Sequence, residues 1–577
     1  MKKLLRYTRG YRIRSVLAPI FKMLEAASEL FVPLVMADII DVGIASGDKS
    51  YVVGRCLILV ALAALGLSFT VTAQYFSATA AVGFVTSVKK ALVRHILSFE
   101  YAEIDRQGTA SLLAKMTTDA SEVQNGVNLT LRLFMRSPFI VIGAAVMAFT
   151  VDPASAVTFV IVIPVLAAVV FTLLLASIPI FKKVQKGSEN LLFSIKEHLS
   201  GVRVIRSFGL DEKEKKKFDG ANSSLTALSA FAGKISALMN PLTYVIINLG
   251  IVALLYRGGV RVENGDITLG QLVALYNYMS QILIELLKMA NLIISISRSL
   301  SAASRIEEVF ETSSAPGGDE PVPKDYTEAF CLDNVPFTYS GDSHPALSGV
   351  SLSLPRGGSL GIIGATGSGK TTLIDVMTGF YPATDGEVFA FGKEVGALDR
   401  RCVRRSIHRV PQHSVLFSGT VRDNLLWAQE AGDDELNRAA SSAIAKDFLD
   451  EKDGLDTVIG EGGAGLSGGQ RQRLAIARAL VGDPEVLILD DSFSALDPAT
   501  DRALRANIAA LPGSPTLIIA SQRASSVMSC DKIIVLEDGE VVGYGTHGEL
   551  LDGCGVYREI FASQFGATAL PEKEAAK

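Results

Sequence analysis

Six stretches, each with the roughly 20 predominantly apolar residues a helix needs to cross a bilayer, occupy the first half of this 577-residue chain. They lie near 15–42, 53–80, 128–150, 154–180, 237–260 and 268–298. Backbone polar groups in a bilayer are satisfied inside a helix, so residues 1–312 are expected to form an all-α, six-helix transmembrane domain. The connections alternate. Those at 43–52, 151–153 and 261–267 are short, whereas 84–125 and 181–235 are long, polar and helical in pattern. The basic residues gather in the N-terminus (Lys2, Lys3, Arg6, Arg9, Arg12, Arg14) and the second long loop (Lys182, Lys183, Lys186, Lys213, Lys215, Lys216, Lys217). The positive-inside rule places these in the cytoplasm and the short loops outside. Spans two to five are expected to continue as helices into the cytoplasm. The N-terminal MKKLLRYTRGYRIR reads as an interfacial helix. A signal peptide is disfavoured, because the apolar region after it is too long and carries Lys22, Glu25 and Glu29.

Residues 313–324, SSAPGGDEPVPK, have linker chemistry. Strand-like and helical segments then alternate over 325–566, the pattern of an α/β domain, and 567–577 reads as a solvated tail. A net charge of −5 gives no reason to expect nucleic-acid binding. The five cysteines are scattered, with no C-x-x-C, so a zinc site or disulfide framework is not expected.

The segment SLGIIGATGSGKTTLIDVMTG places G-x-x-x-x-G-K-T after an apolar strand and before a helix, the context this phosphate-binding motif requires. Gly364, Gly367 and Gly369 let the backbone wrap phosphate oxygens, and Ser368 supplies a further N–H. Lys370 adds a charge, Thr371 offers a hydroxyl to Mg²⁺, and Thr366 and Thr372 complete the ATP-binding set. Tyr339, 25 residues before Gly364, has a ring suited either to adenine or to a strand's core face. Gln412, in RVPQHS, has an amide able to bridge Mg²⁺ and water. In GLSGGQRQRLAIARAL, Ser467, Gly468 and Gly469 start a helix that is either a second anion site or simply capped. Asp490 ends the apolar run VLILD and is placed to hold Mg²⁺, directly or through water.

Taken in order, Walker A at 364–372, the Gln loop at 412, LSGGQ at 466–470, Walker B at 486–490 and SALD at 494–497 resemble the nucleotide-binding domain of ATP-binding-cassette transporters. With six spans ahead of it, the whole chain resembles a half-transporter of the bacterial exporter type. YAEIDRQGTASLLAKMTTDASEV and HLSGVRVIRSFGLDEKEKKKF are similar to that family's two coupling-helix regions, near 98–123 and 198–218. The resemblance implies a P-loop ATPase domain with a helical subdomain, ATP and Mg²⁺ as cofactors, and a head-to-tail dimer. Each nucleotide would then lie between one chain's Walker motifs and the other chain's Leu466, Ser467, Gly468, Gly469 and Gln470, with Asp497 contacting across the dimer. It also implies a multi-pass protein of the bacterial cytoplasmic membrane, in contact with lipid.

Two positions depart from the family pattern. Its general base is a Glu directly after the Walker B Asp, where this chain has Asp491; its switch His falls on Gln522 in LIIASQR. Asp is one methylene shorter, about 1.5 Å of reach, and an amide cannot carry an imidazole's proton. Either the site still turns over, or it binds ATP and hydrolyses it slowly. The groups read as binding are intact, which favours the second reading and a non-identical, homologous partner half that supplies Glu and His. Within the spans, Glu25 and Glu29 lie four apart on one helix face and are candidates for contact with amphipathic cations, a lean toward multidrug export. Glu285 and Lys288 read as an ion pair. The alternatives are a dedicated peptide, thiol, lipid or siderophore transporter, possibly importing, or a regulatory ATP-binding half.

Overall fold

A computed structural model describes residues 4–312, 318–340, 342–427 and 429–566; the tail 567–577 and linker residues 313–317 lie outside the described residues. Two compact units result. One holds residues 4–97 and 109–312, the other residues 98–108 and 318–566.

The first unit is helical. Five of its helices are long and apolar enough to cross a membrane: Lys49–Ile96, Thr109–Val151, Pro153–Ser200, Asp211–Glu263 and Leu269–Glu311. At 1.5 Å per residue the longest, of 53 residues, spans ~80 Å. It therefore runs well past a hydrocarbon core of ~30 Å. Leu57, Val60, Leu65, Leu67 and Val71 of Lys49–Ile96 face outward, exposed. An apolar face of that length has lipid as its natural solvent. The short turns are set by side-chain caps. Asp48 accepts from the amides of Ser50 and Tyr51, Asp152 from that of Ser155, and Thr268 forms a capping box with Gln271. Small residues bring the helices together: a Cβ on Gly143 would lie 2.5 Å from Leu30, and one on Gly250 2.7 Å from Val162.

The first predicted span forms the helix Arg12–Asp38, followed by a wider turn over Ile39–Ile44. It carries Arg12, Arg14, Lys22, Glu25 and Glu29 along its length and is not among the five apolar helices. Its charges are paired instead. Arg136, in the third helical region, donates to Glu285 Oε1 at 2.6 Å and to Glu29 Oε2 at 2.8 Å, and its Nε lies 3.6 Å from Glu25 Oε1. Lys22 donates to Glu25, Lys288 to Glu285 at 3.0 Å, and Ser137 Oγ to the other Glu285 oxygen at 2.8 Å. Three acids thus meet three bases. Glu25's side chain is only 8% exposed and Glu29's is 44% exposed, so of these two acids only Glu29 keeps an open face. Arg136→Leu leaves carboxylates buried without their shared cation. The expected cost is about 3–5 kcal/mol, measurable as a lower Tm of the detergent-solubilised protein.

The second unit is built on a six-stranded sheet of order β12-β11-β3-β10-β9-β6. Its strands are β3 (Ser359–Ile363), β6 (Ile407–Val410), β9 (Val486–Asp490), β10 (Thr516–Ser521), β11 (Lys532–Glu537) and β12 (Glu540–Gly545). All neighbours are parallel except β12, which is antiparallel to β11. Every residue of β9 is buried, as a strand covered on both faces requires. An antiparallel sheet containing β1 (Glu328–Phe337) and β2 (Leu347–Pro355) shares a core with Leu360, Ile362, Val486 and Ile488 on one face of the large sheet. Helices, among them Gly468–Leu480, pack with Leu487, Leu489 and Ile519 in a second core. Within the linker as read from sequence, Glu320 already pairs with Leu398 of this unit.

Candidate active site

In an open parallel sheet, ligands bind beyond the carboxyl ends of the strands. Here the register brings four loops to that edge. Ile363 of β3 lies opposite Ser521 of β10, Ala520 opposite Asp490 of β9, and Leu489 opposite Val410 of β6. The loops that follow carry the phosphate motif, Gln522, Asp491 and Gln412.

The phosphate loop runs from Gly364 into the helix Lys370–Met377. Gly369 has φ +98° and Gly367 φ +84°, conformations open to glycine. A Cβ on Gly364 would sit 2.2 Å from the Leu536 carbonyl oxygen, so that residue must also be glycine. Thr366 and Gly367 are exposed. Ser368 is buried, and its Oγ has no hydrogen-bond partner, an orphaned polar atom within the glycine-rich loop. Lys370 Nζ donates to the carbonyls of Gly364 and Ala365 at 2.9 and 2.7 Å. Burial holds its pKa below the usual lysine value, opposed by Asp491 and Asp490.

Tyr339 packs edge-on against Phe337 and Tyr381, at 4.9 and 5.4 Å between ring centroids. Its hydroxyl lies 3.0 Å from Thr372 Oγ1. Tyr381 in turn donates to Asp105 of the short helix Tyr101–Gln107. That helix, part of the first predicted coupling region, belongs to this unit. Tyr101 lies against Phe380 at 4.7 Å, and Glu100 pairs with Arg400 at 3.1 Å.

For magnesium, the donor chemistry fits one ion shared with a nucleotide. Thr371 Oγ1 donates to Asp490 Oδ1 at 3.2 Å, which sets hydroxyl and carboxylate side by side. No group of three or more His, Cys, Asp or Glu able to hold a metal occurs among the described residues. Mg²⁺ bound by few protein oxygens plus phosphates needs none.

Asp491 has φ +47°, a left-handed conformation that Asp tolerates better than most residues. Gln412 Nε2 reaches its Oδ2 only at 3.5 Å, the limit of a hydrogen bond. Burial pushes the Asp491 carboxyl up, against the pull of Lys370. A raised pKa suits a general base; the shorter side chain does not. Gln522 is exposed one residue past the end of β10, and its backbone carbonyl accepts from Gln564 at 2.8 Å.

Ser467 caps the helix Gly468–Leu480 in a capping box: its Oγ accepts from the Gln470 amide at 3.2 Å, and Gln470 Oε1 accepts from the Ser467 amide at 2.9 Å. Capping leaves this helix start accessible: Ser467 and Gly468 are exposed and Leu466, Gly469 and Gln470 half-buried. Asp497 caps Pro498–Ala509, accepting from the Thr500 amide at 3.0 Å, and that bond holds its carboxyl below the usual range. The sequence reading missed Gln472, which accepts from the Ala495 amide at 3.1 Å and so ties the signature helix to the SALD loop. It also missed Arg409 of β6, which donates to Asp490 Oδ2 at 2.8 Å.

A family pattern described as the ABC transporter transmembrane region matches residues 15–286, and one described as ABC transporter matches residues 347–494. An uncharacterised ABC transporter ATP-binding protein of Mycobacterium tuberculosis is 34% identical over 565 residues, 97% of either chain. The chain belongs to the ABC transporter family. It is a membrane domain fused to an ABC ATPase domain, a multi-pass half-transporter of exporter type. The ATP-dependent lipid A-core flippase of Escherichia coli is 28% identical over 96% of this chain and 95% of its own. A bacterial Atm1-family ABC exporter solved with ATP bound shares the fold, with a TM-score of 0.84 at 22% identity over 96% of this chain and 99% of that one.

Proposed function

We propose that this ABC half-transporter drives export of an amphipathic molecule across a bacterial cytoplasmic membrane as one half of a heterodimer. In that pair its own ATP site is catalytically degenerate, and its Ser467 helix completes the partner's competent site. The observation that carries the reading is that Asp491 and Gln522 each lie one residue past the ends of adjacent parallel strands, at the same sheet end as an intact phosphate loop and Asp490. Both changes fall on proton transfer and none on binding. ATP and Mg²⁺ would be held by Lys370, Thr371, Thr372, Asp490 and Gln412, with Tyr339 against the base. Mg²⁺ supplies charge neutralisation of the phosphates when bound. The chain's own residues orient the nucleotide and close the dimer through the Asp497 face.

The charged helix Arg12–Asp38 is the sixth span in this reading, made tolerable by Arg136 and Lys22. With three acids balanced by three bases, preference for a cationic cargo loses its electrostatic basis, and Glu29 alone of the two candidate acids remains open to substrate. A lipid-like amphiphile fits a balanced cavity as well as a drug does, and one relative is named for such a cargo. Proteoliposomes containing this chain and its partner half are expected to move an amphipathic dye or a labelled lipid only with ATP. Nucleotide-dependent association without any flux would contradict transport and leave a regulatory role.

A further inference from the structure

Strand β6 reads Ile-His-Arg-Val, and its arginine lies inside the domain. Arg409, with a side chain 16% exposed, sits opposite Ile488 of β9. Its Nη2 donates to Asp490 Oδ2 at 2.8 Å. Its Nη1 donates to Asp375 on the phosphate-loop helix, and its guanidinium carbon lies 5.9 Å from the Phe380 ring centroid. The other oxygen of Asp490 already accepts from Thr371. Asp490 is 1% exposed, so water contributes little to its neutralisation.

A guanidinium does not lose its proton in proteins, so this countercharge is permanent. The carboxylate that answers Mg²⁺ in an ATP site is therefore held by a fixed cation on its far oxygen. A bound metal would share that carboxylate with the guanidinium, and the two cations would repel each other across a low-dielectric site. Neutralising a carboxylate is also part of what the metal contributes when nucleotide binds, and Arg409 performs that part beforehand.

We propose that Arg409 is a built-in countercation of Asp490 that lowers this site's demand for Mg²⁺, so that the chain binds ATP almost equally with and without the metal. The inference rests on the ATP-site reading above and deepens it, because a site that keeps ATP intact has less need of a metal.

The test is equilibrium binding of fluorescent MANT-ATP to the full-length chain in nanodiscs, in excess Mg²⁺ or excess EDTA. The wild-type affinity is expected to differ by less than about threefold, whereas Arg409→Leu should bind at least about tenfold more weakly in EDTA than in Mg²⁺. Arg409→Leu alone strands Asp375, so Arg409→Leu/Asp375→Asn is measured beside it. The double variant keeps the tenfold metal dependence if Arg409 acts on Asp490. Its return to wild-type insensitivity would show that Arg409 serves only Asp375 and would overturn the proposal. A wild-type chain that loses tenfold or more in EDTA overturns it too, whether or not the variants fold. Mn²⁺ resonance with ATP present is the second readout, with weak occupancy expected in the wild type and tight occupancy contradicting the proposal. Absence of ATP binding under both conditions would instead remove the ATP-site reading, and the proposal with it.

Discussion

Replacing Asp491 with Glu and Gln522 with His in this chain is expected to raise its own ATP turnover about 10²-fold or more, the lower range for gaining a positioned base. The strands that lead into the two positions are already in register, and burial already raises the carboxyl at 491. On the proposed reading, what is missing is about 1.5 Å of reach and a ring able to hold a proton. Glu tolerates the left-handed backbone at 491 less well than Asp, so about 1 kcal/mol of stability is expected to be lost. Steady-state ATPase of the purified variant, compared with Asp491→Glu alone, measures the effect. An unchanged rate would mean that the limiting defect lies elsewhere.

The second large effect concerns the partner. In the proposed heterodimer, Ser467→Arg places a bulky cation at the exposed helix start that would face the partner's nucleotide. Turnover of the complex is expected to fall by about 10²-fold, the scale of losing positioned transition-state donors. Asp491→Asn in the same complex should change turnover by less than about twofold, because on the proposed reading this site contributes little chemistry. The comparison is internal, because both substitutions lie on one chain. Equal losses from the two would mean that both sites hydrolyse ATP.

Much of the candidate site was legible because each of its motifs is a short run of chain. The phosphate loop, LSGGQ, Walker B and SALD each fix a turn, strand end or helix start locally, and the parallel register gathers the loops after β3, β6, β9 and β10. The long helices were readable for a similar reason, since apolar length needs no tertiary information. The pairing of charges was not. Arg136 meets Glu285 and Glu29 across 149 and 107 residues, and no local period announces such a partner. Glu25 and Glu29 therefore looked like free acids, when both lie within reach of one guanidinium. Arg409 was hidden differently: its meaning depends on Asp490 lying one strand away. The helix Tyr101–Gln107, read as part of a membrane-domain loop, belongs with the ATPase unit through Tyr101–Phe380 and Asp105–Tyr381. Only packing could assign it.

The central claim is that this chain holds ATP without splitting it. The direct measurement is a single-turnover assay: the isolated chain is mixed with substoichiometric γ-labelled ATP, quenched over time, and the bound nucleotide is identified. The account predicts ATP bound and intact over many minutes, with phosphate released only when the partner half is added. Phosphate release by the isolated chain at about 1 s⁻¹ or faster, within the ordinary enzyme range, would contradict it.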